Sequence, residues 1–281
     1  MECIEKSTSN YGVKEYLHYL SKEVLILDYL PSFCDETLKV LSKFSTYLLS
    51  LKSDLSNEFW YENPEFDHMC MAGNQFYDEL NSYLELSDPN IMFFHVSKLL
   101  DYETKQIRKD GLFRTTKLSI QKKIELAYHN GFLEKSQMEY IIERITPDTQ
   151  NPYELFYCYT KVDFLLADSK TSMRINSHWG GESTSWHLSE TSSDQNEQRI
   201  LQKISALGET YVVILKQRYN KSCSKMNHQS CSKSTIIKLI LLEYTANLLN
   251  LENINKHYGA TCFYNCPDVI DIVELKLLYT L

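Results

Sequence analysis

Apolar residues recur at helical spacing from the start of the chain. Over residues 11–30 they fall at Val13, Tyr16, Leu17, Leu20, Val24 and Leu27, which predicts one helix ended by Pro31. A second helix is expected over residues 35–52, with Leu38, Leu41, Phe44, Leu48 and Leu49 on one face and Asp35 and Glu36 in the dipole-favoured first turn. The aromatic group Phe59, Trp60 and Tyr61 reads as a loop that plugs an interhelical gap. Residues 74–86 predict a third helix, closed by the turn signal Ser87-Asp88-Pro89.

The pattern then changes period. Ile91-Met92-Phe93-Phe94 is a short apolar run that reads as a buried strand with His95 at its end. A helix follows, with Asp101 as N-cap and Gly111 as the residue that lets the chain leave in the left-handed conformation. Helices are expected over residues 118–130, stopped at Gly131, and over residues 135–145. The run from Tyr153 to Tyr159 reads as a second buried strand. A helix over residues 194–207 stops at Gly208, and Tyr211-Val212-Val213-Ile214-Leu215 is a β-branched strand. Residues 217–233 are polar and read as a mobile loop, while residues 236–249 fit either a helix or a strand turning into one. Residues 269–275 alternate apolar and acidic residues and predict a last strand. The resulting fold class is α+β: a helical region over residues 1–88, then a mixed sheet domain over residues 89–281.

Composition narrows the function classes. The chain has 281 residues, 43% of them hydrophobic, enough for a large core. A net charge of −8 argues against a general grip on nucleic-acid phosphates. It leaves room for a local basic group at Arg108, Lys109, Arg114, Lys117, Lys122 and Lys123, whose plainer reading is a solvated helix face. No apolar run approaches the ~20 residues of a membrane span, so no membrane partner is expected. The N-terminal residues carry acids and no apolar core, so no secretory signal is read there. Eight cysteines without an export signal read as free thiols in a reducing compartment, and the cytoplasm is the expected location. Eight scattered glycines exclude the usual dinucleotide fingerprint and phosphate loop.

The most unusual local sequence is Trp179-Gly180-Gly181-Glu182, with Trp186 close behind. Paired glycines permit close approach to the main chain, and a carboxylate between aromatic walls suits positive charge developing on a sugar. The plainer reading is a hairpin turn with a solvated Glu and two packing Trp residues. His95 has a plain reading too, as a hydrogen-bonded structural histidine. A zinc module built from Cys223, His228, Cys231, Cys262 and Cys266 is a further possibility, although C-x7-C lies outside the usual ligand spacing.

The motif order resembles that of the ADP-ribosyltransferase fold, in particular its His–Tyr–Glu, toxin-like branch. The resemblance rests on Phe94-His95-Val96-Ser97, on Ile107 and the Gly111-Leu112 exit, on Tyr157 or Tyr159, and on Glu182. It covers roughly residues 91–275. The Glu motif departs from the Ser/Gln-x-Glu form, and Glu243 and Glu274 are rivals for it. The resemblance implies a mixed, split β-sheet domain that binds NAD and transfers ADP-ribose to a macromolecular acceptor, protein or nucleic acid, in a toxin, effector or defence role. It implies that Glu182 counters charge on the reacting ribose and that His95 bonds the other ribose, with Ser97 beside it. Tyr157 or Tyr159 and Trp179 would pack against the dinucleotide, and Arg114 would approach its pyrophosphate. The rival reading is a non-catalytic protein–protein interaction protein, such as an inhibitor, effector or defence component.

Overall fold

Ten consecutive residues, Asn90–Leu99, form strand β1 at the middle of a six-stranded antiparallel sheet. Ile91, Met92, Phe93 and Phe94 are all buried, as a strand covered on both faces requires. The structure, a computed structural model, describes residues 24–27, 29–51, 64–113, 116–144, 158–159, 179, 193–226, 232–251, 260–264, 269–270 and 272–277. The other strands are β2 (Cys158–Tyr159), β3 (Glu209–Arg218), β4 (Ser222–Met226), β5 (Ala260–Tyr264) and β6 (Ile272–Leu277). Their order across the sheet is β4-β5-β2-β1-β3-β6. Leu112–Phe113 and Val269–Ile270 form a separate two-stranded ribbon. The chain is therefore a mixture of helix and antiparallel strand, as the α+β expectation required.

β1 and β3 run side by side over their whole lengths, from Asn90 opposite Arg218 to Leu99 opposite Glu209. On the other edge of β1 two short segments pair in succession. Leu25 pairs with Ile91 in parallel, and Tyr159 pairs with Phe94 in antiparallel fashion.

Before the sheet come α1 (Asp35–Ser42), α2 (Ser45–Ser50), α3 (Pro64–Met69) and α4 (Gln75–Ser87). Between β1 and β2 the described helices are α5 (Asp101–Asp110), α6 (Lys117–His129) and α7 (Lys135–Arg144); α8 (Gln195–Ser205) precedes β3, and α9 (Lys233–Leu249) lies between β4 and β5. One core joins Leu41, Leu48, Phe66, Leu80 and Leu84 of α1–α4 to Ile91 and Phe93 of β1, Val213 and Leu215 of β3, and Ile236–Leu242 of α9. α9 is buried nearly all round, and its Lys238 pairs with Asp67 of α3. A second core gathers Leu100, Ile120, Ile124, Ile141, Ile200, Ile204 and Trp179 beyond the C-terminal end of β1.

Four expectations need correction. Residues 24–27 are not the end of a helix. All four are buried, and Leu25 bonds to β1 through Leu25 N to Asn90 O and Met92 N to Leu25 O. An unbroken run of four apolar residues has no polar side to give water, so it suits a sheet interior. The second helix is two, α1 and α2, broken at Lys43 and Phe44. β1 extends five residues past Phe94, because His95, Ser97 and Lys98 are half-buried positions on the pleat rather than a stop signal. Residues 222–226, expected to belong to a loop, are strand β4, paired with β5 from Ser222–Tyr264 to Met226–Ala260. Residues 236–249 are helical throughout.

Candidate functional site

The sheet register places the candidate residues more firmly than their spacing in sequence does. His95 lies in the interior of β1 opposite Val213, half-buried, and not at the strand end. Ser97 follows on the same face, opposite Tyr211. Burial pushes the Tyr211 hydroxyl up; Glu209 and Asp101 push the same way, and Arg108 opposes them. On the other face, Lys98 donates to Ser205 O at the end of α8, and burial lowers its ammonium.

β2 lies directly beside β1, so the His-bearing and Tyr-bearing strands are neighbours. Tyr159 pairs with Phe94, one residue from His95. Alternation along the strands therefore assigns position 159 to the Phe94 face and His95 to the opposite face. One step along the same register sets Cys158 opposite His95, and Cys158 packs in the large core with Val213. Tyr157, Glu182 and Arg114 lie outside the described residues.

Trp179 is described, and it is fully buried. It sits in the second core, among residues of α6, α7 and α8. Its backbone N–H donates to Ile204 O at 2.9 Å, and its indole Nε1–H donates to Glu103 Oε2 at 2.6 Å. As placed, its ring is covered by protein.

Glu103 carried no signal in the sequence beyond that of an acid in a first turn. It is buried, and three donors meet on it. Leu100 N–H reaches Oε2 at 2.8 Å, Trp179 Nε1–H reaches the same oxygen, and Lys123 Nζ lies 2.7 Å from Oε1. Lys123 also lies over the Trp179 ring, 5.0 Å from its centroid. An ionised carboxylate only accepts hydrogen bonds, so every partner here has the matching polarity. Leu100, not Asp101, is the N-cap of α5, and Glu103 closes it from the third helical position.

The basic group thus divides. Lys123 is committed to Glu103, while Arg108 and Lys109 are exposed in the last turn of α5, where cations suit the dipole. Of the rival acids, Glu243 accepts from Leu30 N at 3.1 Å and from Asn247 Nδ2 at 3.0 Å, which gives it a structural occupation. Glu274 lies in β6 opposite Ile214, in the transverse row that continues to Phe94 and Tyr159. Within the suggested zinc set, Cys262 pairs in register with Ser224, and Cys223 with Phe263. Among the described residues no group of three or more His, Cys, Asp or Glu could hold a metal ion. Among them also, no helix is long and apolar enough to cross a membrane. The chain matches no protein-family model, no curated protein and no solved structure.

Proposed function

We propose that this chain is an ADP-ribosyltransferase-type protein, cytoplasmic, that takes NAD as substrate at the centre of its sheet and transfers ADP-ribose to a macromolecular acceptor. The observation that supports it most is the placement of the candidate strands within one six-stranded antiparallel sheet. The His95 strand is central, the Tyr159 strand is its neighbour, and helical excursions follow β1, β2 and β4. The exit after β1 agrees as well: α5 carries buried Ile107 and ends at Gly111, whose φ of 81° favours glycine, before Leu112.

The chemistry asked of the residues is electrostatic. The bond between nicotinamide nitrogen and ribose carbon stretches, and its electron pair leaves with nicotinamide. Positive charge grows on the ribose, and the Glu182 carboxylate counters it. A nucleophilic oxygen or nitrogen of the acceptor then bonds to the ribose carbon and gives up its proton. His95 and Ser97 hold a ribose hydroxyl.

A second reading, a non-catalytic interaction protein on the same sheet, is favoured by the pleat that puts His95 and position 159 on opposite faces. Nicotinamide release from NAD by the purified protein separates the two readings. Release that disappears in His95→Ala and Glu182→Gln supports the transferase. Absence of release with every tested acceptor class, together with no shift in melting temperature on adding NAD, supports the interaction protein.

A further inference from the structure

We propose that Cys158 and Cys262, register partners on β2 and β5, form a reversible disulfide by exchange with a small-molecule disulfide, and that this bond staples β4–β5 to the rest of the sheet. The proposal stands on backbone register and does not depend on the NAD reading. Cys158 lies directly opposite Cys262, and Tyr159 opposite Thr261, in antiparallel pairing. Residues directly opposite in such a pair have Cα atoms about 4.5 or 5.5 Å apart, according to whether they exchange hydrogen bonds. Both values lie inside the roughly 4.4–6.8 Å that a disulfide spans. Among the described strands this is the one register pair that joins two cysteines. On the other edge of β5 the partner of Cys262 is Ser224, and Cys223 lies opposite Phe263.

The sheet order gives the pair its consequence. In β4-β5-β2-β1-β3-β6, β4 and β5 reach the central strand only through β2. The β2–β5 ladder covers Cys158–Tyr159 against Thr261–Cys262, whereas β4 and β5 pair from Ser222–Tyr264 to Met226–Ala260. The junction with the shorter ladder is therefore the one that carries the two cysteines. They stand more than a hundred residues apart in sequence, and a cross-link that closes so long a loop restricts the unfolded chain strongly. In a reducing compartment such a bond is transient and redox-sensing rather than permanent. Cys158 is a buried thiol, so exchange takes place when β5 lifts from β2. One cysteine thiolate attacks a sulfur of the small disulfide, breaks its S–S bond and expels one small thiolate. The other cysteine then attacks the protein sulfur of that mixed disulfide and expels the second. The small disulfide gains two electrons, and the two protein-thiol protons end on the two small thiols.

The test equilibrates the full chain, under native conditions, with oxidised glutathione and separately with dithiothreitol. Alkylation and non-reducing peptide mapping then read the pairing. The expected result is a linked Cys158–Cys262 peptide that disappears on reduction. The oxidised chain should melt about 5 °C or more above the reduced one. The linked peptide and the shift should persist in Cys223→Ser and be lost in Cys158→Ser and in Cys262→Ser. In denaturant, where the register is absent, the same treatment should scatter pairing among the eight cysteines. Cys158 and Cys262 both alkylated after native oxidation, a glutathione adduct retained on either, or Cys262 bridged to Cys223 or Cys266, overturns the disulfide. A linked peptide with an unchanged or lower melting temperature overturns the staple. Mapping of the wild-type chain needs no substitution, so it decides the pairing even if Cys158→Ser does not fold.

Discussion

Two buried groups set what single substitutions should do. Glu103→Ala leaves Lys123 half-buried without its carboxylate and strands two N–H donors, at Leu100 and at Trp179. Breaking a buried pair from one side costs about 3–5 kcal/mol, and denaturant unfolding of Glu103→Ala should show a loss in that range. Lys123→Met leaves the more deeply buried Glu103 carboxylate without its cation, still bonded to the Leu100 and Trp179 N–H groups, and should cost a similar amount. The second group is Cys70, which burial pushes up to about 12 from an ordinary 9.0 although Lys238 pulls it down. A thiol whose folded value is raised holds its proton more tightly when folded. Its contribution is complete below pH 9 and is lost as pH rises from 9 toward 12. Burial pushes the hydroxyls of Tyr219 and Tyr102 in the same direction. Melting temperature should therefore fall through that alkaline window, and less steeply in Cys70→Ala. Iodoacetamide at pH 8 should leave Cys70 unlabelled in the folded protein while exposed Cys34 reacts, as read by peptide mass mapping.

At the scale of elements, turns govern how the helices meet the sheet. Gly208 leaves α8 with a φ of 70°, and a Cβ there would lie 2.6 Å from Leu99 O at the end of β1. Gly208→Ala combines left-handed strain with a backbone clash, and should cost about 2–4 kcal/mol in thermal or denaturant unfolding. Thr116 caps α6 by accepting from Ser119 N at 3.0 Å, while the Ser119 hydroxyl accepts from Thr116 N at 2.7 Å. Thr116→Ala should cost about 1 kcal/mol by the same measurement. Signals of this local kind were legible in the amino-acid pattern. Asn74 and Asp194 cap α4 and α8 with their side chains, and Gly111, Gly131 and Gly208 end helices where their positions indicated. Non-local pairing was not legible. Ser222–Met226 is polar and becomes a strand only because β5, more than thirty residues later, bonds to it. His95, Ser97 and Lys98 hide the second half of β1 because their partners are spread over β3 and α8. The candidate site divides along the same line. The His strand, its helix and the Gly111 exit follow from local chemistry, whereas the faces of His95 and position 159 follow from register. Glu103 was missed because its partners Lys123 and Trp179 lie twenty and seventy-six residues away in the chain.

For the whole molecule, the sheet is continuous with the helices that precede it. Leu41, Leu48, Leu80 and Leu84 share one core with Phe93, Val213 and α9, so a disturbance in α1–α4 is felt under the sheet. The centre of the molecule is β1, flanked by β3 along its full length and by β2 and Leu25 in succession on the other edge. The proposed NAD site lies along the Phe94–Ser97 stretch of β1, beside Cys158–Tyr159. Amide hydrogen exchange of the purified protein, with and without saturating NAD, tests this account most directly. It predicts NAD-dependent protection concentrated in Phe94–Ser97 and Cys158–Tyr159, weakened in His95→Ala. Exchange unchanged by NAD in both strands, or protection confined to residues outside them, would contradict it.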